Sequence, residues 1–356
     1  MKDWTDALRR YFDERNRAWV SIRLDPLRDA AGVAGQPPWW DDVRGGYERM
    51  HVSIRRRGGR LLRAHTRLRV GTPRLYEEGG ERRVDADLME HITWVYQDGP
   101  DFGVEARVVV HHQRWQLSGG RWRLLAAREE DERTAGHPRG GHPRGGDVRD
   151  GHVRGGEPGG EGPRTAASAD PVWTDVRSWF PGWMRACTRY DRVQALRFAD
   201  LWWNGHHPAF VKLEDDCTNF ISQCLFNGRM PMKTSGSRAV GWWYRFPSGG
   251  RDADWSFSWT TAHALYTHLM THMGAREVSD PQELRIGDLV FYDWSGNGRF
   301  HHSTIVTDFD RRGDPLVNAH TTASFRRHYR YLDSRAWTPR TRYAFVRLPD
   351  EFCPEM

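Results

Sequence analysis

Long apolar runs are missing from this sequence. No stretch approaches the roughly 18 consecutive apolar residues of a membrane-spanning helix, and the segment from Met1 to Val20 has no continuous apolar core of the kind a secretory leader carries. No membrane partner is therefore expected, and the expected location is the cytoplasm, with spore association or release from the cell left open. A strong charge of one sign is also absent. Fifty-three basic residues nearly balance 47 acidic ones to leave +6, a net charge that serves solubility, and no nucleic-acid partner is expected. Cysteine is scarce. Cys187, Cys217, Cys224 and Cys353 contain no Cys-x-x-Cys pair and are too few and scattered for a disulfide scaffold, so free thiols are expected. Cys217 and Cys224, placed on one helix, would lie about 10.5 Å apart along its axis, beyond the roughly 7 Å that a disulfide spans between Cα atoms.

The chain is 356 residues long, more than one hydrophobic core usually organises. Its middle supplies the boundary. From Arg133 to Asp170 a degenerate five-residue repeat of Gly, Arg, Pro and His has almost no apolar side chains. Such a segment buries too little surface to offset ordering and reads as a flexible linker. Its His137, His142 and His152 sit among glycines and prolines that fix no metal geometry. The expected units are thus 1–132, a small α+β domain of unassigned role, the linker 133–170, and a second α+β domain, 171–356. In the first, Trp4, Leu8, Tyr11 and Phe12 recur at helical spacing, Leu62 to Val70 alternates as a half-buried strand, and Ser118-Gly119-Gly120 turns a hairpin. In the second, helices precede a run of strands: "IGDLVFYDW", "HSTIVTDF", "PLVNAHT" and "RYAFVRL".

Chemistry is concentrated in "EDDCTNFISQCLFNGRMPM". Phe220, Ile221, Cys224 and Leu225 form an apolar stripe with Asn219, Ser222 and Gln223 outside it. Asp216 is placed as the N-cap, which sets the Cys217 thiol in the first turn, where unpaired N–H groups favour a thiolate. A thiolate mechanism also needs a base. "RFHHSTIVTDF" offers His302 at the mouth of a strand, with His301 directed to the opposite face. On the next strand Asn318 and His320 share a face, and either can orient the base. Trp242, Trp243 and Trp259 fall between the nucleophile and base motifs, and with Asp216 and Asn219 they are candidates for a substrate cleft. His268 and His272 are spaced for zinc but lack the Glu of a His-Glu-x-x-His helix, so no metal and no cofactor is expected.

"YDRVQALRFADLWWN", "DDCTNFISQCLFNGRMPM", "GWWYR", "SWTTAHALYTHL", "RIGDLVFYDW", "HHSTIVTD" and "NAHTT" together resemble the family described as a putative amidase domain, over roughly 171–348. The resemblance implies a papain-like fold near the NlpC/P60 and CHAP groups and no cofactor. It implies Cys217 as nucleophile, His302 as general base and then acid, and His320, in preference to Asn318, as the group that orients His302. The substrate implied is a peptide or related amide, as in cell-wall peptides. The alternative is a catalytically silent module that holds a peptide or glycan in an aromatic cleft. Zinc-dependent hydrolysis is a third reading, and oligomeric state is not legible.

Overall fold

The computed structural model describes residues 2–33, 35–130, 187–235, 237–247 and 252–353. The expected linker, 133–170, lies outside the described residues. In the N-terminal half, helices α1 (Lys2–Ser21), α2 (Asp25–Ala30) and α3 (Pro38–Arg56) precede strands β1 (Gly59–Val70), β2 (Arg74–Glu78), β3 (Glu81–Asp98), β4 (Asp101–Ser118) and β5 (Arg121–Glu129). Strand β3 shows why these residues make a sheet. Val84, Ala86, Leu88, Ile92, Trp94 and Tyr96 alternate along it as buried side chains, a period of two that presents one apolar face. That face packs on Trp4, Leu8, Tyr11 and Phe12 of α1 and on Tyr47 and Ile54 of α3. A hairpin between β4 and β5 turns at Gly119 and Gly120, both at positive φ, where glycine carries no Cβ penalty.

The C-terminal half begins with β6 (Thr188–Arg189), α4 (Arg192–Trp202) and α5 (Cys217–Asn227). Next come β7 (Tyr244–Arg245), β8 (Asp254–Trp255), α6 (Phe257–Thr260) and α7 (Ala262–His272). Strands β9 (Arg276–Val278), β10 (Leu289–Asp293), β11 (His302–Phe309), β12 (Pro315–Ala319), β13 (Ser324–His328), β14 (Arg342–Arg347) and β15 (Glu351–Phe352) follow. The arrangement is mixed helix and antiparallel sheet. Leu289, Phe291 and Ile305 meet Phe220, Ile221 and Leu225 of α5 on one sheet face, while Val290, Tyr292 and Val306 pack with Tyr329 and Tyr331 on the other.

One sheet passes through both halves. Its order is β1-β3-β4-β13-β12-β11-β10-β14-β9, with β2 on β3 and β5 on β4. Strand β4 makes this possible because it is long. One edge pairs with β3 throughout, and the other is shared between β5, at His111 to Ser118, and β13, at Ala106 and Arg107. Buried charge reinforces the junction, since Asp333 pairs with Arg107 of β4 and accepts from Arg327 Nη2 at 2.9 Å. Nothing in the apolar pattern of either half forecasts this pairing, because edge pairing uses backbone groups that every sequence carries.

The cysteine expectation needs correction. Cys187 and Cys353 form a disulfide, their Cα atoms 4.1 Å apart, and only Cys217 and Cys224 are free. The two partners are 166 residues apart in sequence and come together because β15 pairs with β6 beside them. Cross-links of this kind are kept in oxidising compartments.

Candidate active site

Helix α5 starts where the sequence places it, but every residue from Cys217 to Phe226 is buried. The expected polar face is therefore internal, and the Asn219 and Ser222 side chains on it are tied down. Trp259 Nε1 donates to Asn219 Oδ1 at 2.8 Å, and Trp242 Nε1 donates to Ser222 Oγ at 3.0 Å, which in turn donates to Trp259 O at 2.8 Å. Trp242, Trp243 and Trp259 are at most 2% exposed. Trp242 and Trp259 clamp α5 from behind, Trp243 Nε1 donates to Val240 O at 3.1 Å, and none of the three lines an open cleft, which corrects that expectation. Their indole N–H groups find partners inside, as buried tryptophans usually require.

Asp216 takes the N-cap position without capping. Its carboxylate turns sideways instead. Oδ1 accepts from Asn219 Nδ2 at 2.7 Å and from Leu213 N at 3.3 Å, while Oδ2 lies 2.5 Å from His320 Nδ1 and 3.5 Å from His206 Nδ1. Burial pushes the Asp216 carboxyl up, but bonds to His206, His320 and Asn219 outweigh it and hold the group well below the usual carboxylate range. His320 also places Nε2 2.8 Å from Trp202 O and stacks its ring on Phe220 at 3.9 Å. Its two nitrogens are thus directed at Asp216 and at the end of α4, and the expected role of orienting His302 is not what its contacts serve.

The Cys217 sulfur lies among three polar groups. Thr218 Oγ1 is 3.6 Å away, and the Ser303 N–H and the Thr321 side chain also bond to it. Burial pushes the thiol up, and those three contacts pull part of it back. Thr321 is exceptional. Its φ is +78°, a backbone conformation that a β-branched residue adopts only under strain, and strain of this kind collects at functional sites. Local spacing assigns no role to Thr321 of "NAHTT" or Ser303 of "HHS", and His206, in a loop before a proline, reads as a residue without function.

His302 departs from expectation. Strand alternation gives the α5 face of β11 to Ser303, whose Oγ is 3.1 Å from Thr218 Oγ1. His302 faces the other way, its ring 5.4 Å from Tyr292, 5.5 Å from Tyr331 and 6.0 Å from Trp294. His301 has Nδ1 3.9 Å from Asp293 Oδ1, and that buried carboxylate accepts from Ser295 N, Gly296 N and Gly298 N at 2.7–3.1 Å. Asn318, the alternative third residue, is committed elsewhere. Its Nδ2 donates to Asp200 Oδ1 at 2.9 Å and its Oδ1 accepts from Thr307 Oγ1 and Arg326 N, tying α4 to the sheet.

Residues 189–346 match the sequence model of the family described as "Putative amidase domain". A protein of Bacillus subtilis (strain 168), carried as "Uncharacterized protein YhbB", is 42% identical over 170 residues, 47% of this chain and 53% of that protein. The chain spans about half the length of that curated relative. No solved structure matches. The family description points to hydrolysis of amide bonds.

Proposed function

We propose that the C-terminal half is a cysteine amidase or peptidase of papain-like type, allied to the NlpC/P60 and CHAP groups, with Cys217 as its nucleophile. The observation that carries this reading is the setting of the sulfur: first residue of α5, with two hydroxyls and the Ser303 N–H converging on it. In the reaction the thiolate adds to the amide carbonyl carbon, the C–N bond breaks, and the amine leaves with a proton from the base. Water then attacks the thioester, releasing the acid and restoring the thiol. The Cys217 N–H, at a helix start, is free of intrahelical partners and suits the oxyanion.

The base comes from the His301-His302 pair. Motif order favours His302. Exposure and pairing favour His301, whose side chain is 27% exposed and lies beside the Asp293 carboxylate, the kind of group that orients a base. The substrate is a peptide or related amide; cell-wall peptides fit the family resemblance.

The test is release of amine from small peptide amides by the full chain, with wild type, Cys217→Ala, His301→Ala and His302→Ala side by side. Loss of release in Cys217→Ala and in one histidine variant is expected, and that variant identifies the base. Undiminished release in Cys217→Ala would overturn the reading, and binding without release by wild type would favour a silent binding module.

A further inference from the structure

We propose that His206, Asp216 and His320 form a binding site for one divalent transition-metal ion of the zinc type. Their ligand atoms lie within 4.8 Å of one another, and they come from three elements: the loop after α4, the residue before α5 and the end of β12.

The hydrogen-bond bookkeeping at His320 points to a cation. Nε2 faces the Trp202 carbonyl at 2.8 Å, an acceptor only, so Nε2 carries hydrogen. A neutral imidazole then turns the Nδ1 lone pair onto the Asp216 carboxylate, 2.5 Å away. Two acceptors meet only if a positive centre stands between them, a proton or a metal ion. His206 brings a second imidazole nitrogen to the same oxygen at 3.5 Å, close to the separation of about 3.3 Å between ligands on tetrahedral zinc with bonds of about 2.0–2.1 Å. The His320 and Asp216 atoms need to part by roughly 0.8 Å to reach the same spacing.

Support around the ligands is of the kind metal sites carry. Trp202 O fixes the His320 tautomer, and Asn219 Nδ2 and Leu213 N hold the second oxygen of Asp216. The Asp216 and His320 side chains are only 5% and 6% exposed, whereas His206 is 39% exposed, which leaves an entry path and room for a water as fourth ligand. Two imidazoles and one carboxylate suit zinc or cobalt and not calcium or magnesium, which take oxygen. The other clusters differ. At Asp310, Asp314 and His328 the Arg330 N–H occupies His328 Nδ1 at 3.3 Å, so Nε2 carries the proton and has no lone pair for a metal. At Cys187, Glu351 and Cys353 the sulfurs are joined in the disulfide.

The site is independent of the amidase reading, because its ligands do not include the thiol. Metal-free full-length protein, titrated with zinc against a chromogenic chelator, is expected to take up one equivalent, with affinity reduced at least about tenfold in His206→Ala and retained in Cys217→Ala. Cobalt in place of zinc is expected to show ligand-field bands without thiolate charge transfer. Absence of stoichiometric uptake, equal affinity in His206→Ala, or a thiolate band overturns the proposal. Cobalt on the wild-type protein reads the site even if the variant folds poorly. Iodoacetamide labelling of Cys217 in the metal-free protein reports separately on the thiol.

Discussion

His320 Nδ1 and Asp216 Oδ2 lie 2.5 Å apart across the start of α5, joining the end of β12 to the residue before the Cys217 thiol. The pair is buried and charge-assisted, the kind of hydrogen bond that contributes about 1.5–3 kcal/mol. Asp216→Asn keeps the shape and removes the charge. Metal-free protein carrying it is expected to unfold at lower urea concentration with an unchanged slope, by about that free energy. An unchanged midpoint would show that the pair does not hold the helix start.

Thr321 bonds to the Cys217 sulfur from a left-handed backbone. Because burial raises the thiol and the Thr321 contact lowers it, Thr321→Val is expected to shift iodoacetamide labelling of Cys217 to still higher pH. Thr321→Gly relieves the strained φ and loses the same hydroxyl. It is expected to share the labelling shift while being the more stable of the two variants in thermal melts. Identical labelling profiles in wild type and Thr321→Val would remove Thr321 from the site.

Glu129 belongs to a buried cluster in the N-terminal half, accepting from Arg15 Nη2 at 2.8 Å while Arg15 also reaches Glu90. Burial raises its carboxyl, but Arg15, His111 and Arg335 outweigh that and bring it down to about 2. A depressed carboxylate stabilises the fold above its unfolded value of about 4.3 and ceases to do so as pH falls toward its folded value. The loss is on the order of 3 kcal/mol between those limits. Glu129→Gln is expected to be less stable at pH 7 and to show a flatter decline in urea midpoint from pH 4.3 to 2. Parallel curves for variant and wild type would mean that other carboxylates govern acid unfolding.

The Cys187–Cys353 disulfide closes a loop of 166 residues. In the chain-entropy account such a cross-link stabilises by up to about 5 kcal/mol. Reduction with dithiothreitol is expected to lower the melting temperature of wild type and leave Cys353→Ser unaffected. Equal melting of oxidised and reduced wild type would show that β6 and β15 stay paired without it.

Much was legible in the sequence because it rests on local spacing. Helical periodicity marked α1, alternation marked β1, strand-like segments bounded by turns marked β10, β11, β12 and β14, and acidic residues before a cysteine marked the start of α5. Three things escaped because no local signal encodes them. Burial of both faces of α5 depends on Trp242 and Trp259 arriving from 20–40 residues away. Which of His301, His302 and Ser303 faces α5 depends on strand register, and a shift of one residue exchanges the faces. The pairing of β4 with β13 and the approach of Cys187 to Cys353 are contacts between distant segments through backbone or sulfur, which composition and period do not record. The sequence by itself determined the elements and the reactive residue types; only the tertiary structure decided which of them meet, because side-chain direction and edge pairing are settled when the sheet assembles.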